Sequence, residues 1–256
     1  MNLWTPSAPY VAVLSLCLFF TPLYAETPPS IHTEHNDISF ALLEYGGGHW
    51  NPRPNGLPRL AWEIRRRTSI DIHPNPVSVT LLNPSLFAYP FLVWQGDTSF
   101  TAFSEAERVA LRQYLHAGGT LWVDVSDAQP QSLFERSVLR ELQQVFPREP
   151  LQRIPQKHVL YKSFYLLRNH GGRVLNKAYL EGILIEGRWA VIITGNDIAG
   201  AIARNSFGEY DFDVGEGGDA AREMSVRIGV NIMMYALCLD YKDDQVHIPF
   251  ILQRRH

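Results

Sequence analysis

The sequence predicts an α/β fold with a mainly parallel central sheet covered by helices on both sides. Three observations carry that reading. Residues 89–127, YPFLVWQGDTSFTAFSEAERVALRQYLHAGGTLWVDVSD, spell a complete strand, helix, strand unit. Apolar strands and amphipathic helices alternate from residue 38 to residue 146, and the strands are short apolar runs of the kind buried on both faces. Strands joined through helices of this length imply right-handed crossovers and hence parallel neighbours. With 256 residues, 46% apolar and 19% charged, the chain has material for one sizeable core, so residues 38–256 are expected to form a single α/β domain.

The first 25 residues contain no Asp, Glu, Lys or Arg, and a largely apolar run from Val11 to Phe20 leads to Pro22 and the exit Leu23, Tyr24, Ala25. This is the shape of a secretory signal cleaved near Ala25, too short for the roughly 20 apolar residues of a membrane span. The mature chain is therefore expected in the periplasm or outside the cell, without a transmembrane segment. Leu16 stands where a lipidated cysteine at Cys17 would need a small residue. Removing the leader leaves Cys238 as the only cysteine, which excludes an internal disulfide, and its place in IMMYALCL reads as a small buried hydrophobe. Residues 26–37 are polar and read as a disordered lead.

Ile38 to Tyr45 then forms a strand that Gly46, Gly47 and Gly48 end. Leu57, Leu60, Ala61 and Ile64 recur at helical spacing, with Arg65, Arg66 and Arg67 on the other face. Val77 to Leu82 and Phe91 to Trp94 are the next strands. Ser104 and Glu107 make a capping box that starts a helix, Gly118 stops it, and Thr120 to Val125 follows as a strand. Leu133, Phe134, Val138, Leu142, Val145 and Phe146 trace another helix. Leu180 to Ile185 and Trp189 to Thr194 flank Glu186 and Gly187 as a hairpin whose second strand is apolar enough to be central. A glycine-rich acidic loop occupies residues 205–219, and Ala220 to Leu239 reads as a long helix. In the tail, Val246, Ile248, Phe250 and Leu252 alternate with His247, Pro249 and Gln253 nearby, a pattern that suits an edge strand, a segment lying against the sheet or a strand that docks a partner, intrachain packing being the most economical.

In open α/β sheets ligands bind outside the carboxyl ends of the strands, where loops and helix N-termini converge. Those ends collect Tyr45 with Gly46 and Gly47, Gln95 with Gly96, Asp124 with Ser126 and Asp127, and Asn196 with Asp197. Of these, Tyr45, Gly46, Gly47, Gln95, Gly96, Ser126, Asp127 and Asn196 are the candidate ligand-binding residues, with Asp124 and His158 as candidate catalytic groups. Each has a plainer explanation. The glycines lack a dinucleotide fingerprint and a phosphate-loop lysine, so a tight turn explains them. Asp124 and Asp127 could share a proton, one ionised and one with a raised pKa, or cap the helix that starts near Gln131. A lone histidine such as His158 is more often structural than a base, and Asn196 and Asp197 suit a turn.

Other chemistry is excluded more firmly. Asp211, Asp213, Glu216 and Asp219 miss the calcium-loop spacing, and no G-x-S-x-G elbow presents Ser126. No metal-binding set and no cofactor is expected. A net charge of −3 leaves no basic stripe for nucleic acid. Two readings remain: a domain that binds a small polar ligand or an envelope protein partner at its strand ends, and a hydrolase in which Asp124 and His158 activate water, with or without a metal ion.

The segments LFAYPFLVWQG, SEAERVALRQYLHAGGTLWVD, NIMMYAL and YKDDQVHIP, spanning Phe40 to Arg254, resemble the bacterial domain-of-unknown-function family numbered 4159. The resemblance implies a flavodoxin-like three-layer α/β/α sandwich, related to class I glutamine amidotransferase-like and ThuA-like proteins and to domains fused to von Willebrand-type regions in larger bacterial membrane proteins. Amidotransferases carry a cysteine nucleophile just after the strand that here reads LWVDV. Ser126 and Asp127 stand there instead, so glutaminase activity is not implied. The family's polar positions match Gly96, Gly118, Gly119, Asp124, His158, Asn231 and His247, with no role attached to them.

Overall fold

The computed structural model describes Met1 and residues 38–127, 129–130 and 132–253, with side chains to residue 237. The expected leader and lead, and the side chains of Cys238, His247 and the tail, lie outside the described residues. The strands are β1 (Ala41–Leu43), β2 (Val77–Val79), β3 (Phe91–Gly96), β4 (Thr120–Val125), β5 (Gln152–Arg153), β6 (Glu181–Ile185) and β7 (Arg188–Thr194); the helices are α1 (Gly56–Arg67), α2 (Glu105–His116), α3 (Leu133–Val145), α4 (Ile198–Ile202) and α5 (Gly218–Gln253). The strands form one sheet in the order β2-β1-β3-β4-β7-β6-β5. The first five in that order run parallel, while β6 is antiparallel to β7 and β5 to β6.

Period-two alternation divides the core into two layers of contact. Phe91 and Val93 of β3, Trp122 of β4 and Ile192 of β7 pack against α1, α4 and α5. Leu92, Trp94, Leu121, Val123, Val191 and Ile193 face α2 and α3. The interior strands are consequently buried along their whole length, which is why they read as unbroken apolar runs.

Local sequence accounts for most element ends. Ser104 accepts the Glu107 amide while the Glu107 carboxylate takes the Ser104 amide, closing the capping box of α2. Glu186 and Gly187, at φ 50° and 83°, form the hairpin turn between β6 and β7. Three boundaries differ from the sequence reading. The first two strands are shorter than their apolar runs, and a 3-10 helix at Pro84–Ala88 follows β2, with Asn83 capping it and a proline at its start. The tail is not an edge strand: residues 230–248 contain neither glycine nor proline, so α5 carries through them, and it runs on past Pro249 to Gln253. No helix among the described residues is long and apolar enough to cross a membrane.

Candidate functional site

The strand order reverses direction between β1 and β3, which defines the crevice at the carboxyl ends of these strands. The residues there differ by face. Toward α2 and α3 the ends are closed by aromatics. Tyr45 lies with Trp94, Phe100 and Phe134, ring centroids 4.9–6.3 Å apart, and its hydroxyl donates to the Gln95 carbonyl at 2.7 Å. Burial, then the negative charge of Asp97, pushes the Tyr45 pKa up, so the phenol stays a neutral donor. A Cβ on Gly96 would sit 2.2 Å from Phe134 and 2.4 Å from the Tyr45 hydroxyl.

Two of the three glycines after β1 serve close packing in the same way. Gly47 has φ +73° and would bring a Cβ within 1.9 Å of Thr101 Oγ1, and a Cβ on Gly48 would meet Phe100 at 2.7 Å; Gly46 faces open space. At the rim, His49 Nδ1 meets Asp97 Oδ1 at 3.1 Å, an exposed pair.

On the opposite face the strand ends are polar. Gln95, Asp124 and Thr194 continue the alternation of Val93, Trp122 and Ile192, and register sets Gln95 beside Asp124 and Asp124 beside Thr194. All three are buried. The Trp122 indole donates to Thr194 Oγ1 at 2.8 Å, and Thr194 Oγ1 donates to Asp124 Oδ1 at 2.8 Å. Asp124 also accepts the amides of Ile198 at 3.0 Å and Ala199 at 2.8 Å, so it caps α4 from a neighbouring strand. Burial, and then the nearby charge of Asp197, pushes the Asp124 carboxyl up to about 7, against the pull of those hydrogen bonds.

Asp197 is the second carboxylate of this cluster. It caps α4 through the Gly200 amide at 2.9 Å from a left-handed conformation, φ 55°, which Asp tolerates better than most residues. Arg53 donates to it through Nε at 3.0 Å and Nη2 at 2.8 Å, and also reaches the Ser126 carbonyl at 2.6 Å. Arg173 donates to the same carboxylate, and the Phe212 ring lies 4.3 Å from the Arg53 guanidinium.

The structure thus brings Tyr45, Gly96 and Gln95 together and sets Asp124, Ser126 and Asp197 in one buried ionic cluster. Asn196 belongs to its wall: its side-chain oxygen accepts the amides of Asn176 and Lys177, and its amide group donates to the carbonyls of Gly171 and Lys177. The carboxylate beside Asp124 is Asp197 rather than Asp127; Ser132 caps α3 through the Glu135 amide, with Asp127 at the same helix end. Burial raises the Asp127 pKa against hydrogen bonds from Ser132 and the Leu133 amide, and its Oδ1 is buried without a partner among the described residues.

His158 is placed elsewhere. Its Nδ1 accepts the Leu160 amide at 3.2 Å at the start of the 3-10 helix Val159–Lys162, and its ring packs edge-on to Trp189 and Tyr235. Trp189 and Thr194 lie at opposite ends of β7, roughly 16 Å apart at about 3.3 Å per residue. Asp124 and His158 therefore pack against opposite ends of β7. Among the described residues no three His, Cys, Asp or Glu side chains stand close enough to hold a metal ion.

Arg53, Arg173, His49 and Asp97 escaped the sequence reading. Arg53 lies in a turn-rich loop 144 residues from its partner Asp197, and no local pattern marks that pairing.

Fold and strand ends together define a mixed α/β domain with a seven-stranded, mostly parallel sheet. Residues 39–237 match the family described as Domain of unknown function (DUF4159), and the chain belongs to it. Among curated proteins none matches the chain.

Proposed function

We propose that the protein is an exported, flavodoxin-like domain that binds a small polar ligand at the carboxyl ends of its parallel strands. The observation that carries this reading is Gln95. Its side chain is fully buried at the strand-order reversal, yet neither its carboxamide oxygen nor its nitrogen meets a partner among the described residues. An unmet buried polar group costs about 1–3 kcal/mol, so a carboxamide is retained here at a net loss unless something else completes its hydrogen bonds. A ligand offering one donor and one acceptor, such as a sugar hydroxyl pair or an amide, matches it.

The order of the parallel strands, 2-1-3-4-5 when numbered along the chain, and the helices on both faces support the flavodoxin-like reading and kinship with amidotransferase-like proteins. The uncharged leader supports export. Binding without covalent chemistry is preferred over hydrolysis because both Asp124 oxygens already serve α4 and His158 sits at the other end of β7.

The test is a thermal-shift screen of metals, sugars and nucleotides on wild type and Gln95→Leu. A ligand at a hundred times its Kd should raise the wild-type Tm by roughly 5–10 °C. The same compound should leave Gln95→Leu unmoved, although that variant melts no lower than wild type when unliganded. A shift that Gln95→Leu retains, or a panel with no shift at all, overturns the reading, and recovery of the protein from the cytosol with Met1 in place overturns export.

A further inference from the structure

On the α1 side of the sheet, an open cavity of about 420 Å³ lies between α1, the last residue of α4, the loop through Tyr210 and the first turns of α5. Five arginines line it, against the carboxylates of Glu63, Asp219 and Glu223, and its apolar lining among the described residues is Ile202, Val226 and the Tyr210 ring. The charge is unevenly matched. Glu63 takes Arg59 and Arg67, and Glu223 takes Arg67 through both guanidinium nitrogens at 2.8 Å as well as Arg227. Those two acids are therefore fully engaged.

Arg66, Arg204 and Arg222 meet no carboxylate among the described residues. Arg222 donates to the carbonyls of Ala201 and Phe212 at 2.6 and 2.9 Å. Arg204 donates to the Gly208 carbonyl and the Tyr210 hydroxyl, while its Nε is buried without a partner. Both guanidinium groups lie over the Tyr210 ring, at 4.0 and 3.5 Å from its centroid, which restrains them before any ligand arrives. Arg66 lies over Trp62, 5.1 Å from the ring.

We propose that this cavity is a binding site for a small organic anion of two or more charges, carrying phosphate or carboxylate groups. Preset guanidinium groups with unused donors suit oxyanions, which accept two parallel N–H bonds from one arginine. The volume falls within the range of small-molecule pockets, and the scarcity of apolar lining excludes a ligand with a large greasy body. This site is separate from the buried strand-end cluster, so either proposal can fail alone.

Isothermal titration of the full protein at low ionic strength, with pyrophosphate and with citrate as probes, tests it. At least one probe should bind saturably at one site, more weakly as salt is added. Arg66→Gln and Arg204→Gln should each weaken binding about tenfold, as expected for one charged hydrogen bond, while Gln95→Leu leaves it unchanged. Arg66 is exposed and makes no hydrogen bond within the described residues, so its variant keeps the fold. The better probe distinguishes phosphate from carboxylate ligands. Absence of binding by both at about 10 mM, or binding that both variants retain, overturns the proposal.

Discussion

Arg53, just before α1, and Arg66, near its end, carry the same guanidinium group into opposite settings. Arg53 is buried, doubly bonded to Asp197, bonded to two carbonyls and stacked on Phe212. Arg66 is exposed beside a cavity where arginines outnumber acids. The difference separates a charge that holds the fold from one that is free for recognition. In the first, all three nitrogens donate to buried partners, and removing one strands a desolvated ion. In the second, removal leaves the fold alone and changes only what the surface attracts.

The contrast can be broken at its strongest point by Asp197→Ala. This variant leaves Arg53 and Arg173 without their carboxylate and α4 without one cap, so unfolding in urea should show a loss of about 3–5 kcal/mol. A loss under about 1 kcal/mol would put Asp197 with the surface ion pairs and erase the distinction.

A pH series sharpens it further. Asp124, pushed up to about 7 by burial and by Asp197, binds its proton more tightly when folded than when unfolded. Its contribution to stability is therefore greatest when the folded carboxyl is protonated, and it declines as pH rises from about 4 to about 7, by up to about 1.4 kcal/mol per pH unit. Urea titrations of wild type and Asp124→Asn at pH 5 and pH 8 should diverge, wild type losing stability relative to the variant as pH rises. Parallel curves would mean that Asp124 stays ionised throughout. The smallest effect belongs to the cavity: Arg66→Gln should change unfolding free energy by less than about 0.5 kcal/mol, and a larger loss would make it structural.

Much of this frame could be read from local sequence, because local physics sets it. The capping box at Ser104 and Glu107, the β3-α2-β4 unit and the Glu186–Gly187 hairpin depend on contacts within a few residues. The placement of Tyr45, Gln95 and Asp124 at neighbouring strand ends followed from parallel topology. Their roles did not. Whether Asp124 faces Asp127 or Asp197 depends on which side of the sheet α4 docks, and α4 itself hid within what read as a turn. Arg53 and Arg173 join the cluster only through the tertiary fold, from 144 and 24 residues away. The continuation of α5 was obscured because alternating Val246, Ile248, Phe250 and Leu252 imitate a strand.

The borders of the sheet carry a final consequence. β2 has three residues and follows Pro76, and β5 has two, set between Pro150 and Pro155 with Arg153 on its exposed length. Neither offers a run of unpaired backbone long enough for an incoming strand to zip onto. Among the described residues, the sheet is thereby guarded at both borders against edge-to-edge pairing with another strand.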